Sequence, residues 1–251
     1  MKKFEELLNI CHNLLHQPIG NDAKSYLDSR ILPQTKEYVK FGYFPDSNNI
    51  NLILSEFLFE DLEELKLSYK KTIDTNCGVK DIYSSYFENH PLIFPFRDHY
   101  GDIVAFIGRT LLSDEDRKKL GLAKYKNSMF EKSHYLFGLY EARKDILDQG
   151  LVYVVEGELD VLKAREKNIN NIVSLGSSNM SFLQLSLLLR YTDNILLLLD
   201  NDEAGQSGRK KIIEKYSKYA NFQAVSLPMG YKDIDEYLKS HDELSLDFWN
   251  L

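Results

Sequence analysis

The first third of the chain carries apolar residues at helical spacing. Near the N-terminus they recur every three or four positions and predict an amphipathic helix that ends near Pro18: Phe4, Leu7, Leu8, Cys11, Leu14 and Leu15. Further short helices are predicted around residues 22–27, over 35–41 and within 50–71. Residues 73–86 show no regular period, so an irregular segment is predicted there.

From residue 92 onward the pattern changes to strands. Residues 92–109 form a strand, turn, strand pattern that predicts an antiparallel hairpin. Beyond residue 150, short apolar runs alternate with helical periods, as they do in a parallel α/β sheet. This predicts strands over residues 151–155, 171–175, 195–199 and 222–227, with helices over 159–167, 181–190 and 204–219.

Composition and length are those of an ordinary folded chain. The 251 residues are 43% hydrophobic and 27% charged, which is enough for a sizeable core and argues against disorder. Cys11 and Cys77 are the only cysteines, so neither a disulfide framework nor a four-cysteine zinc ribbon is expected, and no zinc is expected elsewhere. Because no apolar run reaches the length of a membrane span, we expect a cytoplasmic protein without membrane contact.

Charge is unevenly distributed along the chain. The formal net charge is −7, yet residues 97–144 are net basic and residues 145–251 net acidic. This asymmetry suits an enzyme that holds polyanions with one surface and divalent cations with another, although solvated surface charge gives the same counts. Together with the change of pattern near residue 150, this distribution divides the chain into two expected parts of an α/β fold: a mixed part over 1–144 and a part with a mostly parallel sheet over 145–251.

Three acidic residues follow strands of the predicted parallel sheet. Glu156 comes directly after the first strand, and Asp200 and Asp202 come directly after the third. Ligands bind at the carboxyl ends of strands in open α/β sheets, and converging carboxylates repel one another unless a cation neutralises them. Hard oxygen ligands without thiolates or imidazoles favour Mg²⁺ or Mn²⁺, and hence phosphate chemistry. Each residue alone also fits a helix cap.

These residues resemble a known signature. Val155-Glu156-Gly157-Glu158 followed by Asp200-Asn201-Asp202 is similar to the glutamate and Asp-x-Asp motifs of the Toprim superfamily, which is shared by DnaG-type primases, topoisomerases and some nucleases. Further segments resemble the catalytic core of bacterial or phage DnaG-type primase in the same order: residues 23–27, 41–47, 94–98, 108–109, 124–128, 132, 136–142, 174–176, 188–193 and 232–238. The resemblance covers roughly residues 20–240. It implies a nucleic-acid and nucleotide-binding surface in the part over 1–144 and a metal-binding catalytic site in the part over 145–251.

The resemblance implies template-directed synthesis of short RNA primers from ribonucleoside triphosphates by metal-dependent nucleotidyl transfer. Asp200 and Asp202 are then metal ligands, and Glu156 is either a ligand or a general base toward the 3′-hydroxyl. Asp160 is an outer ligand or complements a helix dipole, and Asp233 and Asp235 complete the metal site or cap a helix.

The resemblance also implies a nucleotide and nucleic-acid site of basic and polar residues: Arg97, Arg109, Lys124, Asn127, Ser128 and Lys132. Arginine suits bidentate contact with phosphate, and lysine acts as a point charge. Tyr125 is expected either to stack on a base or to pack in the core. We expect the run from Arg209 to Lys211 to face solvent.

The family's zinc ribbon and helicase-binding parts have no counterpart among these motifs. Glu88 and His90 also stand where the family tends to carry basic residues. We therefore expect a minimal core whose partners are single-stranded DNA template, ribonucleoside triphosphates, primer RNA and a replicative helicase or a separate zinc-binding protein. Two alternatives remain open: a Toprim nuclease or topoisomerase-like enzyme that cleaves phosphodiesters, and an inactive nucleic-acid-binding scaffold.

Overall fold

The computed structural model of this protein describes residues 2–75, 78–228, 230–231, 233–244 and 247–248. Cys77, and Lys232 of the motif at 232–238, lie outside these residues. The chain divides into two compact units, one comprising Met1–Phe96 with Ile103–Phe130, the other Arg97–Asp102 with Glu131–Leu251. The second unit thus begins before residue 145, and the functional division predicted there stays a prediction.

The first unit begins with helices. Those described are α1 (Lys2–Leu15), α2 (Asn21–Arg30), α3 (Pro33–Tyr38), α4 (Asn51–Leu54), α5 (Phe59–Glu64) and α6 (Asp114–Lys119). In α1 the predicted apolar stripe is buried, with Leu7, Leu8 and Cys11 fully enclosed. Burial raises the pKa of the Cys11 thiol, so this cysteine packs as a small hydrophobe. Aromatic rings from later elements complete this core, among them Phe44, Phe87 and Phe106.

The described strands of the first unit form a sheet and a separate ribbon. The sheet has the order β1-β4-β5-β6, from β1 (Gly42–Tyr43), β4 (Leu92–Arg97), β5 (Ile103–Arg109) and β6 (Tyr125–Asn127). Neighbouring β4 and β5 confirm the hairpin predicted over 92–109. The ribbon pairs β2 (Ser68–Thr75) with β3 (Gly78–Ser85) in antiparallel register, Ser68 opposite Ser85.

This ribbon corrects the prediction of an irregular segment at 73–86. It also ends the helical stretch predicted up to residue 71, since β2 already begins at Ser68. Most of β3 is exposed, and Lys80 and Asp81 interrupt its apolar residues, so the sequence shows neither the helical nor the strand period of hydrophobicity. Cross-strand pairing rather than burial holds these residues in strands.

The second unit confirms the predicted α/β alternation. Its strands are β7 (Val152–Val155), β8 (Ile172–Ser174), β9 (Asn194–Leu197), β10 (Asn221–Ser226) and β11 (Asp247–Phe248). Its helices are α7 (Leu139–Gln149), α8 (Glu158–Glu166), α9 (Phe182–Leu188), α10 (Glu203–Tyr216) and α11 (Ile234–Tyr237). The sheet order is β11-β10-β9-β7-β8, in which β8, β7, β9 and β10 are parallel.

The strand order determines where the acidic motifs lie. Strands β7 and β9 are direct neighbours, with Val154 paired to Leu197, although β8 lies between them in sequence. Their buried aliphatic residues form the core of this unit between flanking helices, with Val154, Ile195 and Leu197 fully enclosed. Glu156 and Asp200 therefore leave the same edge of the sheet on adjacent strands.

Candidate active site

Glu156 is held where β7 ends and α8 is about to begin. The Ser174 hydroxyl, fully buried at the end of β8, donates a 2.7 Å hydrogen bond to the Glu156 carbonyl oxygen. The main-chain N–H of Asp200 donates to Oε1 of Glu156 across 3.2 Å. Both contacts cross between parallel strands, so the sheet itself orients the glutamate.

Burial and two neighbouring carboxylates determine the pKa of Glu156. Partial burial raises its pKa above the ordinary value, and the negative charges of Asp200 and Asp202 raise it further. The Asp200 N–H bond and the positive charge of Arg209 act in the opposite direction. The predicted three acidic residues are thus brought into one electrostatic field.

The Asp-x-Asp loop is tied down at each of its three residues. Asp202 caps α10, its Oδ1 accepting a 3.0 Å bond from the Gly205 N–H. Asn201 donates from Nδ2 to the carbonyls of Leu227 and Tyr231, at 3.2 and 2.8 Å. Asp200 is oriented by its N–H bond to Glu156. Asp202 therefore combines the capping role that its residue type favours with a place beside Glu156.

Gly205 allows α10 to start against this loop. A Cβ atom at position 205 would lie 2.1 Å from the Asp200 carbonyl oxygen and 2.9 Å from Oε1 of Glu156. No side chain fits at those distances, so only glycine permits this approach. The helix N-terminus, whose dipole favours negative charge, thereby lies beside the carboxylates.

Asp160 connects the carboxylates around Glu156 with those at the start of α11. It is 7% exposed on the first turn of α8, where Oδ2 accepts from the Gly157 N–H at 3.2 Å and Oδ1 from the Asp235 N–H at 3.2 Å. Burial raises the pKa of Asp160 well above the ordinary value, and Asp233, Asp200 and Asp235 add to this effect. Asp160 thus links the glutamate motif to the start of α11.

Asp233 and Asp235 have structural tasks at α11. Asp233 caps this helix, its Oδ1 accepting from the Glu236 N–H at 2.8 Å. Oδ2 of Asp235 forms an ion pair with Lys239 at 3.2 Å. The contact of Asp233 fits the capping alternative, whereas the ion pair of Asp235 does not cap the helix. Both carboxylates are close enough to Asp160 to raise its pKa further, and their part in a metal site stays a prediction.

Arg209 corrects the prediction that the run from Arg209 to Lys211 faces solvent. Lys210 and Lys211 are exposed, but Arg209 is only 2% exposed and donates from Nη1 to the Leu199 carbonyl at 2.6 Å. Burial lowers its pKa, which Glu156, Asp200 and Asp202 counteract. The available signal was spacing, because Arg209 follows Gly205 by four residues and shares its helix face.

The donor set suits a hard divalent cation that keeps part of its water shell. Among the described ranges, no group of three or more His, Cys, Asp or Glu side chains is arranged to enclose a metal by itself. The observation in favour is that the charges of Asp200 and Asp202 add to burial in raising the pKa of Glu156, a repulsion that a bound cation would relieve. Mg²⁺ commonly binds through one or two carboxylates plus waters and substrate phosphates, which matches this arrangement.

Two predicted phosphate-binding residues lie in the second unit. Lys132 forms a 2.8 Å ion pair with Glu158, and its side chain passes over Gly176, where a Cβ would lie 2.0 Å from Cε. Arg97 donates from Nη1 to the Gly101 carbonyl at 2.7 Å and is half-buried. Lys132 is therefore positioned by the glutamate motif itself, since Glu158 belongs to it.

The other predicted nucleotide-binding residues lie in the first unit. Arg109 is buried, donates to the Tyr26 hydroxyl at 3.0 Å and the Lys124 carbonyl at 3.1 Å, and packs over the half-buried Tyr125 ring. The Ser128 hydroxyl is buried and accepts from the Phe106 N–H at 2.9 Å. Lys124 is exposed and Asn127 half-buried. Arg109 and Ser128 shape this surface through those contacts, and their binding roles stay predictions.

Within the described part of the chain, no helix is both long and apolar enough to cross a lipid bilayer.

Family models match the two halves of the chain. The model described as "DNA primase catalytic core, N-terminal domain" matches residues 10–143, and a Toprim-like model matches residues 153–238. Among curated relatives, DNA primase of Aquifex aeolicus is 31% identical over 223 residues, 88% of this chain and 43% of the relative. DNA primase of Thermotoga maritima is 32% identical over 233 residues, which are 90% of this chain and 39% of the relative. The chain thus spans less than half the length of these relatives.

Solved structures agree with the sequence matches. The Aquifex aeolicus primase structure comprising zinc-binding and RNA polymerase domains has a TM-score of 0.75 at 29% identity, covering 96% of this chain and 59% of that one. The Escherichia coli primase catalytic core has a TM-score of 0.76 at 26% identity, covering 95% and 75%. Since the first family model alone matches more than half of its residues, this chain belongs to the family of DnaG-type primase catalytic cores, with a Toprim second half.

Proposed function

We propose that this chain is a DnaG-type primase core, a DNA-directed RNA polymerase that synthesises short RNA primers on single-stranded DNA from ribonucleoside triphosphates. The observation that carries the proposal is the pairing of Glu156 and Asp200 on adjacent parallel strands, joined by a hydrogen bond and close enough to raise the pKa of the glutamate. The family membership of the chain favours synthesis over cleavage by the same carboxylates.

The proposed cofactor is Mg²⁺, or Mn²⁺ in its place. Glu156, Asp200 and Asp202 would hold it, with Asp160, Asp233 and Asp235 forming an outer acidic group. When bound, the ion neutralises non-bridging phosphate oxygens and lowers the pKa of the attacking hydroxyl. Because Oε1 of Glu156 already accepts the Asp200 N–H, we assign Oε2 as the atom that either binds the ion or accepts the 3′-hydroxyl proton.

The remaining residues orient substrate in this proposal. Lys132, anchored by Glu158, supplies a positive charge for the triphosphate, and Arg97 supplies a planar donor. Lys124 and Asn127 contact the nucleic-acid strand, while Arg109 and Ser128 position β5 and β6 beneath them. Primer RNA is the growing product, and a replicative helicase or a zinc-binding protein is the proposed partner in the bacterial or phage-infected cytoplasm.

The test is synthesis on a single-stranded template with radiolabelled ribonucleotides and Mg²⁺. We expect short RNA from the wild type and a loss of about 100-fold or more in Asp200→Asn, because that substitution removes a proposed ligand charge. Ser207→Ala, an exposed change on α10, is the matched control and should synthesise normally. Shortening of the template without RNA would support a nuclease, and binding without either reaction would support a scaffold; both results contradict the proposal.

A further inference from the structure

One face of the β2–β3 ribbon is exposed, basic and free of acidic residues. Register and the alternation of side chains place six residues on this face, which we call the ribbon face: Tyr69, Lys71, Ile73, Lys80, Ile82 and Ser84. Tyr69 is 55% exposed and Ile82 39%, and both lysines are exposed. Neither Lys71 nor Lys80 has an acidic partner among the residues that the structure describes.

The opposite face of the same ribbon differs in charge. There Lys70 forms a 3.2 Å ion pair with Asp81, and the Thr72 hydroxyl donates to Asp81 at 2.8 Å. Asp74 lies on that face too, opposite Val79. All the acidic residues of the described ribbon are therefore on one side, and the ribbon face keeps two uncompensated positive charges beside an aromatic ring.

The ribbon face continues toward β6 at its foot. Burial raises the pKa of Tyr86, and the nearby Tyr69 adds to this effect. The Tyr86 hydroxyl donates to the Asn127 carbonyl at 2.8 Å. The Lys126 ammonium lies 3.9 Å from the centre of the Tyr86 ring. The exposed Tyr69 is thus followed by the half-buried Tyr86 and Lys126 toward the strand that carries Asn127, all within the first unit.

We propose that the ribbon face binds single-stranded nucleic acid outside the metal site and guides the template strand; this rests on the proposed function. Exposed lysines beside an exposed aromatic ring suit such a strand, because the ammonium groups contact phosphates while the Tyr69 ring stacks on a base. A second copy of the chain fits poorly, since two ribbon faces would bring four lysines together. A protein partner is disfavoured because lysine is depleted in protein interfaces.

The test compares neighbouring lysines on opposite faces. Lys71→Gln and Lys80→Gln are assayed against Lys70→Gln by fluorescence anisotropy with a fluorescein-labelled oligothymidylate at several salt concentrations. We expect each ribbon-face variant to bind several-fold more weakly and to flatten the salt dependence by about 0.7 in log–log slope per lost contact. Lys70→Gln removes the same charge from the chain and should retain the wild-type slope, since Asp81 already neutralises Lys70.

Tyr69 provides a second, uncharged readout. Tyr69→Leu should weaken binding by about fivefold or more, whereas Tyr69→Phe, which keeps the ring, should bind as the wild type does. Equal effects of the three lysine variants, or no effect of any, would overturn the inference. So would a dimer in sedimentation that Tyr69→Leu dissolves, or a ribbon face that binds protein but no oligonucleotide.

Parallel synthesis assays separate the two proposals. If the Lys71 and Lys80 variants bind DNA as the wild type does and the protein synthesises RNA, the role of the ribbon face is overturned and the proposed function stays intact. If DNA binding depends on the ribbon face but the protein makes no RNA, the proposed function is overturned and the role of the ribbon face in binding stays intact. Thermal unfolding of all variants, whose changes are on exposed positions, checks that the fold is retained.

Discussion

The main-chain N–H of Asp200 donates to the Glu156 carboxylate across 3.2 Å, so the second acidic motif holds the first by a hydrogen bond while the two side-chain charges repel each other. The donor is backbone and the acceptor is side chain. A substitution at 156 can therefore keep this bond while it removes the charge, which separates the structural role of Glu156 from its chemical role.

Glu156→Gln should abolish synthesis and leave the protein folded. The amide oxygen can still accept the Asp200 N–H, but the negative charge is gone, and we expect activity to fall by about 100-fold or more. Glu156→Ala should lose the bond as well and be about 1 kcal/mol less stable than Glu156→Gln. Urea unfolding without divalent cation, beside the primer assay, measures both. Equal stability of the two variants would contradict this account of the bond.

The contribution of Asp160 and Glu156 to the stability of the cation-free protein should fall as pH rises. Burial and neighbouring carboxylates raise the pKa values of both groups, so at these two positions the folded chain binds more protons than the unfolded chain above about pH 4. Stability from these groups is complete below their unfolded pKa values and is lost as pH rises toward the raised folded values. Urea unfolding in EDTA at a series of pH values measures this slope.

The Asp160→Asn variant measures how much of the pH dependence of the unfolding free energy comes from the Asp160 carboxyl. The variant should show a flatter dependence on pH, together with a loss of about 1 kcal/mol at low pH because an amide cannot accept from both the Gly157 and the Asp235 N–H. Mg²⁺ should flatten the wild-type slope as well, because it compensates the negative charge. An unchanged slope in Asp160→Asn would remove Asp160 from the explanation.

Gly205→Ala should damage both the fold and the site. The new Cβ would meet the Asp200 carbonyl oxygen and Oε1 of Glu156, so α10 must shift away from the carboxylates. We expect a loss of about 1–3 kcal/mol in the free energy of unfolding and a loss of primer synthesis. Ser207→Ala on the same helix is the control and should be neutral or slightly stabilising. A normal Gly205→Ala enzyme would show that the close approach is not needed.

Arg209→Gln should have opposite effects on stability and cation affinity. Losing a buried charged donor to the Leu199 carbonyl should cost about 1.5–3 kcal/mol. Because a positive charge beside Glu156, Asp200 and Asp202 competes with a cation, Mg²⁺ should bind a few-fold more tightly to the variant. Calorimetric titration with Mg²⁺ measures this, and weaker binding in Arg209→Gln would instead make the guanidinium a support for the site.

The second unit could be predicted well because its strands are buried on both faces. Continuous apolar runs such as Val152–Val155 indicate buried strands of a parallel sheet when helical periods separate them. The place of Glu156 directly after β7 follows from this. Bonds that cross the sheet could not be predicted. Nothing in the sequence pairs the Asp200 N–H with the Glu156 side chain or the Ser174 hydroxyl with the Glu156 carbonyl, since these depend on strand order.

The first unit was harder because exposed strands leave no period. In β3 most side chains face solvent, so hydrophobicity could not indicate a strand, and the ribbon was missed. The prediction that Arg209 faces solvent was wrong for a related reason. Arg209 stands in a run with two lysines, which is typical of a solvated helix face, and only its spacing from Gly205 distinguishes it. A charged run therefore predicts exposure only where none of its members is close to charges of opposite sign, as Arg209 is to Glu156, Asp200 and Asp202.

The position of β8 at the outer edge of the parallel sheet has a consequence for how this protein can diverge. The chain leaves β7, passes through α8 to the edge strand β8, and returns across β7 through α9 to β9, so no strand of this excursion lies between the two strands that carry the acidic motifs. Loops within it can lengthen or shorten without altering the spacing of those motifs in three dimensions. Relatives can therefore differ in the number of residues between the motifs while keeping the same chemistry.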